Sequence, residues 1–209
     1  MLINPEKCLK RLQEGNRRFS SGAAEIAPVS SQRMSEAAVA QHPFAAIIAC
    51  ADSRCPVEQV FDQSWGDLFV VRVAGNVCST EVTGSVEFAL DKLGTPLLVV
   101  LGHTHCGAVE AASAGADFTG SLGRLLEQIQ PAAAKAKSQN PSATPQELVS
   151  AAIEANVWLT MENLLVGSRI ISSKVRQDEC LLHGAILDIA TGSVRWLGTH
   201  PLQAALMMH

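Results

Sequence analysis

The chain has 209 residues, enough for one domain with a sizeable core, and its 47% hydrophobic and 17% charged residues exclude a disordered polymer. A formal net charge of −4 and the lack of any Tyr argue against a nucleic-acid-binding surface. No apolar stretch approaches the about 18 residues that span a bilayer, and the charged start "MLINPEKCLKRLQEGNRRF" has no apolar signal core, so no membrane span is expected and the expected location is the cytoplasm, with an organellar or microcompartment address left open.

Residues 3–22 read as an amphipathic helix, with Asn4 as N-cap, Pro5 in the first turn, Leu9, Leu12 and Phe19 on one side, and Gly22 at the stop. A helix ahead of the main fold often packs on a neighbouring subunit. The stretch "SSQRMSEAAVAQH" reads as a second helix, capped by Ser30 or Ser31. Then the pattern changes. "FAAIIAC" (44–50), "LFVVRVA" (68–74) and "PLLVVLGH" (96–103) are continuous apolar runs, which suit strands buried on both faces of a parallel sheet. Helical stretches lie between them, at "PVEQVFDQ" and "EVTGSVEFALDKLG".

Two longer helices follow, "GSLGRLLEQIQPAAAKAKSQ" and "TPQELVSAAIEANVWLTMENLLVGS", joined by a surface loop around "SQNPSATPQ". The final element, "LLHGAILDIATGSVRWLG", reads as a hairpin turning at Thr191–Gly192. Strand–helix–strand alternation predicts an α/β fold: a central, mostly parallel sheet flanked by helices. Residues 1–209 are expected to form a single domain, with 1–40 as an N-terminal helical arm and 41–209 as the α/β core.

The stretch "CADSR" (50–54) follows the first strand, and "HTHC" (103–106) ends the third. Both lie at carboxyl ends of predicted parallel strands, where open α/β sheets bind ligands. The six cysteines show no disulfide framework. Cys50, Asp52, His103 and Cys106 form a candidate soft-metal set, since two thiolates, an imidazole and one further position suit tetrahedral zinc. The plain alternative is a pair of buried thiols with a core histidine. No phosphate-binding glycine loop is present.

Together, "CADSR" and "GHTHCGA", supported in order by "EGNRRF", "GDLFVVRVAGN", "GSVEFAL" and "HGAILDIATG", resemble the β-class carbonic anhydrases. The resemblance implies a Zn²⁺ enzyme that interconverts carbon dioxide and bicarbonate, working as a homodimer or homotetramer with exchanged N-terminal helices. It implies that Cys50, His103 and Cys106 are the zinc ligands. Asp52 and Arg54 would form the catalytic dyad that orients a zinc-bound hydroxide. In the family's closed form the aspartate itself ligates zinc. Gln41, Phe69, Phe88 and Gly107 are the implied substrate-binding residues, with Gln41 and Phe69 supplied across a subunit interface. Phe88 stands where a tyrosine is common in the plant-like branch, and Ile47 where other members carry a tryptophan of an inhibitory bicarbonate site. An open site without that pocket is therefore expected.

Two further readings compete with hydration of carbon dioxide. Relatives acting on carbonyl sulfide or carbon disulfide tend to carry Met and Ala beside the aspartate, where this chain has Ala51 and Ser53. A zinc-stabilised scaffold would not need an Asp52–Arg54 pair. Among the remaining residues, Val73 and Cys55 depart from common family choices. Cys55 reads as an apolar filler or an oxidation-sensitive thiol, and His105 as a surface residue, a proton shuttle or an alternative ligand. Cys8, Cys78 and Cys180 read as packing residues. His42, His183, His200 and His209 would shuttle protons only if exposed near the metal. Asp67 and Arg72 are expected in structural contacts, and Gly75 and Asn76 in the loop that lines the cleft.

Overall fold

The computed structural model describes residues 4–25, 29–115 and 118–208; His209 lies outside them. The chain opens with helices α1 (Pro5–Ser20) and α2 (Ser31–Val39), then strand β1 (Ala45–Ala49), a single helical turn α3 (Val57–Val60) and strand β2 (Leu68–Arg72). A tight turn at Ala74–Asn76 leads into α4 (Thr80–Glu87), which widens into a π-turn at Phe88–Lys92. Strand β3 (Leu97–His103) is followed by α5 (Gly107–Ser113), α6 (Gly120–Glu127), α7 (Gln130–Gln139), α8 (Pro145–Gly167) and α9 (Arg169–Arg176). Strands β4 (Leu181–Leu187) and β5 (Val194–Gly198) and the short α10 (Gln203–Leu206) complete it. Among these no helix is long and apolar enough to cross a membrane.

The five strands form one sheet in the order β2-β1-β3-β4-β5, parallel except for β5. This is the expected mostly parallel α/β architecture, and the expected hairpin is the β4–β5 pair. From β1 the chain goes first to one side, to β2, and then to the other, to β3. The order therefore switches between β1 and β3, and the crevice at their carboxyl ends is the place where such sheets take ligands.

Every residue of β1 and β3 is buried, as their continuous apolar runs predict. The matching expectation for "LFVVR" is corrected: β2 is an edge strand and only partly buried. Composition alone does not say which apolar strand receives a neighbour on both sides. A second correction concerns residues 120–139, expected as one helix. The helix stops at Glu127 and restarts at Gln130, because Pro131 lacks an N–H and its ring is tolerated only in a first turn. Helix α9, absent from the sequence reading, starts at Ser168, whose hydroxyl accepts from Ile171 N and donates to Glu87.

Helix α1 packs against the sheet of its own chain. Cys8, Leu9 and Leu12 are buried in the same cluster as β1 and α3 of their own chain. Asn16, also buried, donates to Val60 O (3.1 Å) and Gly192 O (2.8 Å) and accepts from Val194 N (2.9 Å), tying α1 to the hairpin. Helix α2, by contrast, buries no side chain and is fastened by Arg33 to Asp67 and to the Trp65 carbonyl.

On the opposite face of the sheet, α8 is the central support. It approaches closely because two strand positions lack a side chain. A Cβ at Gly102 would lie 2.8 Å from Val157 Cγ2, and one at Gly184 would lie 3.1 Å from the same residue's Cγ1. That contact sets the height of His103, the next residue of β3.

Candidate metal centre

Cys50 is the first residue after β1, and His103 is the last of β3, the neighbouring strand. The chain then turns sharply through Thr104 and His105 before α5 begins. His105 takes φ +54°, a left-handed conformation that brings Cys106 back beside His103. The ligating atoms of Cys50, His103 and Cys106 all lie within 4.8 Å of one another, and all three residues are buried. The two sulfurs are 4.0 Å apart.

The donor set fits a soft divalent cation. His103 Nδ1 is hydrogen-bonded to the Thr104 carbonyl (2.9 Å), while its Nε2 is buried with no protein partner. An imidazole held through one nitrogen, with the other aimed at two thiols, is how a histidine is set to ligate metal. Without a cation the three groups must share protons. Cys106 donates to Cys50, which pulls the Cys50 thiol well below its usual range and pushes Cys106 up, with burial adding to the latter. Burial is the largest single influence on His103 and works against a charge, but the neighbouring Cys50 and Cys55 sulfurs and the Thr104 carbonyl together outweigh it and raise the imidazole to about 10. A bound dication would displace these protons.

Asp52 is not one of the clustered donors. Its carboxylate is gripped by Arg54, with Nε on Oδ1 at 2.9 Å and Nη2 on Oδ2 at 2.7 Å, and the Arg54 backbone N–H adds a third bond to Oδ1. The hydrogen-bonded guanidinium holds the Asp52 carboxyl well below the usual carboxylate range. Arg54 also donates to the His105 carbonyl (3.1 Å), which joins the dyad to the turn between the other two donors.

Arg72, expected only in structural contacts, buttresses the first motif by donating to the carbonyls of Cys50 and Asp52. Asp67 accepts from Arg11 and Arg33. Cys55 is buried in the apolar cluster beneath β1, and its sulfur is among the groups that favour a charge on His103. His105 is exposed and serves the turn. His200 is buried edge-on to Trp158, and His183 lies against Trp196. His42 is exposed on the segment ahead of β1, away from the donors.

The four expected substrate-binding residues are not brought together within the chain. Gly107 adjoins Cys106 at the start of α5. Phe69 pairs with Ala46, roughly 13 Å back along the strand from Cys50, and Gln41 precedes β1 altogether. Phe88 is exposed and its ring meets that of Phe69 at 6.2 Å. Parallel strands cause the separation: Gln41 and Phe69 belong to amino ends, and the donors belong to carboxyl ends.

Against known proteins, the family described as "Carbonic anhydrase" matches residues 45–194. "Carbonic anhydrase 2" of Mycobacterium tuberculosis is 49% identical over 111 residues, or 53% of this chain and 54% of that protein; the match thus spans about half of the relative's length. The carbonic anhydrase of Pseudomonas aeruginosa is 32% identical over 175 residues, covering 80% of this chain and 79% of that one. Among solved structures, the β-carbonic anhydrase CafA of Aspergillus fumigatus superposes with a TM-score of 0.77 at 26% identity, covering 96% of this chain and 94% of that chain.

Proposed function

The chain belongs to the β-class carbonic anhydrases, and from that membership we propose that it hydrates carbon dioxide reversibly to bicarbonate and a proton, with Zn²⁺ as its cofactor. The observation that carries the reading is the buried Cys50–His103–Cys106 cluster with the Asp52–Arg54 pair beside it. When bound, zinc supplies the Lewis acidity that makes water nucleophilic near neutral pH.

The chain's own residues do the rest. Cys50, His103 and Cys106 hold the metal. Asp52, kept ionised by Arg54, is an acceptor only, so it takes a hydrogen bond from the attacking water and leaves a lone pair free for carbon dioxide. Arg54 fixes both carboxylate oxygens and so prevents the carboxylate from swinging toward the metal. Because Asp52 stays ionised, the proton released in hydration passes to solvent rather than to this carboxylate.

The substrate pocket is part of the same proposal, and it requires two subunits. Phe69 lies in the edge strand β2, and Phe88 meets its ring. Pairing of β2 with its counterpart in antiparallel fashion brings the amino end of one strand beside the carboxyl end of the other. The ring of exposed Phe88 against half-buried Phe69 and the open edge of β2 support this arrangement. On this reading Gly107 lines the pocket from the donor side. Six free cysteines, two of them metal donors, suit the reducing cytoplasm.

Stopped-flow hydration of carbon dioxide, with zinc measured on the same sample, tests the proposal. Activity at about one zinc per chain, the stoichiometry of a three-ligand catalytic site, is expected. A fully zinc-loaded, inactive protein would refute it.

A further inference from the structure

The turn at Ala74–Asn76 is built in a conformation the backbone resists. Gly75 takes φ +70° and Asn76 φ +45°, both in the left-handed region. Two buried side chains of α8 hold it there. Asn156 Nδ2 donates to the Gly75 carbonyl at 2.7 Å, and Thr160 Oγ1 donates to the Asn76 carbonyl at 3.0 Å. Across the same α-carbon, the Gly75 N–H donates to Cys50 Sγ at 3.3 Å. A Cβ at Gly75 would come within 2.5 Å of Ile129 Cδ1, so the residue is also walled in from α7's side.

Asn156 has no reason of packing to carry an amide. It is fully buried, its helix neighbours Ile153 and Val157 are core residues, and its Oδ1 has no partner among the described residues. An orphaned buried acceptor is destabilising, and an aliphatic side chain would avoid it. What the amide does achieve is the single bond to Gly75.

We propose that Asn156 is a positioning residue for the metal centre: by fixing the backbone on both sides of the Gly75 α-carbon it aims an N–H at Cys50 Sγ and thereby limits how much charge that thiolate donates to the metal. The inference rests on reading Cys50 as a metal ligand. An N–H bonded to a thiolate draws electron density from sulfur, so a site with two thiolates keeps more Lewis acidity than its ligand count suggests. Partners that touch only the ligands tune metal affinity and electrophilicity in this way.

The test uses the full-length protein loaded with Co²⁺, whose sulfur-to-metal charge-transfer absorption reports thiolate donation directly. Asn156→Leu and Asn156→Ala, neither of which can donate to the Gly75 carbonyl, are both expected to move that band to longer wavelength. Both are also expected to lose roughly ten- to hundredfold in metal affinity in chelator competition, because Cys50 is no longer held in place by the strut. Thr160→Val removes the neighbouring bond to Asn76 and lowers the melting temperature, but is expected to leave the band in place. A folded Asn156 variant with the wild-type band and wild-type metal affinity overturns the proposal.

Should both Asn156 variants fail to fold, the wild-type chain loaded with NMR-active cadmium decides. The Gly75 amide proton is expected to show a scalar coupling to the metal through sulfur, and no coupling overturns the proposal. These readouts need bound metal but no turnover. A wild type that binds cobalt, shows the expected shifts on substitution and fails to hydrate carbon dioxide refutes only the catalytic reading.

Discussion

Arg54 grips both carboxylate oxygens of Asp52 from only two residues away, at 2.9 and 2.7 Å. The pair is made within one turn of chain and needs no other element to form. Its hydrogen bonds depress the Asp52 pKa, so the ionised carboxylate contributes stability above about pH 4, the value of an unfolded aspartate, and that contribution is lost as the pH falls through the depressed folded value. Asp52 is therefore expected to stay ionised throughout the neutral range, and its carboxyl carbon shift should not titrate between about pH 5 and 9. Asp52→Asn should keep its zinc and lose activity by roughly 10- to 100-fold or more, read by stopped flow beside metal analysis. Arg54→Lys, which keeps the charge but not the fork, should fall between the two.

Replacing Cys106 by Ala removes one of three donors and the proton partner of Cys50. The variant should be purified without stoichiometric zinc, while retaining the fold of the sheet. Full zinc occupancy by elemental analysis would remove Cys106 from the ligand set. In the wild type, acidification should release the metal, because protons compete for His103 and the two sulfurs.

Subunit mixing tests the shared pocket. Asp52→Asn and Gln41→Ala proteins should each be weakly active alone. Co-refolded in equal amounts, they should regain about a quarter of wild-type sites, because a mixed dimer has one site with both residues intact. No gain on mixing would place Gln41 outside the partner's site.

Asn16→Ala should destabilise the protein by about 2 to 4 kcal/mol in urea unfolding, since it strips partners from the buried carbonyl of Val60 and leaves Val194 N unpaired. The loss should appear in stability and not in the metal content of folded protein.

Gly102→Ala drives a methyl to within 2.8 Å of Val157 in a packed core. A cost of about 1 to 3 kcal/mol in stability is expected. Val157→Ala in the same chain should recover part of it, which distinguishes crowding from loss of backbone freedom.

Much of the site was readable because its residues follow strands that announce themselves. The apolar runs 44–50 and 96–103 end in Cys50 and His103, so adjacency of two strands was enough to bring the donors together. The edge position of β2 was not readable, since "LFVVR" is as apolar as the strands that are fully enclosed. The break in residues 120–139 was signalled by Pro131. Asn156 left no signal at all: it is one polar residue in a long helix, 81 positions from the carbonyl it holds, and only the folded packing joins them. Asn16, inside "EGNRRF", belongs to the same class, a motif residue whose role lies in hydrogen bonds to a hairpin far along the chain.

The strut to Gly75 also separates the donors from their support along the chain. Every metal donor has been synthesised once residue 106 is made, about half-way along the chain, but Asn156 and the strand that covers β3 come later. A chain still attached to the ribosome thus carries three thiol and imidazole donors without the scaffold that sets their geometry. The geometry of the centre is complete only in a chain that includes α8, packed against Gly102.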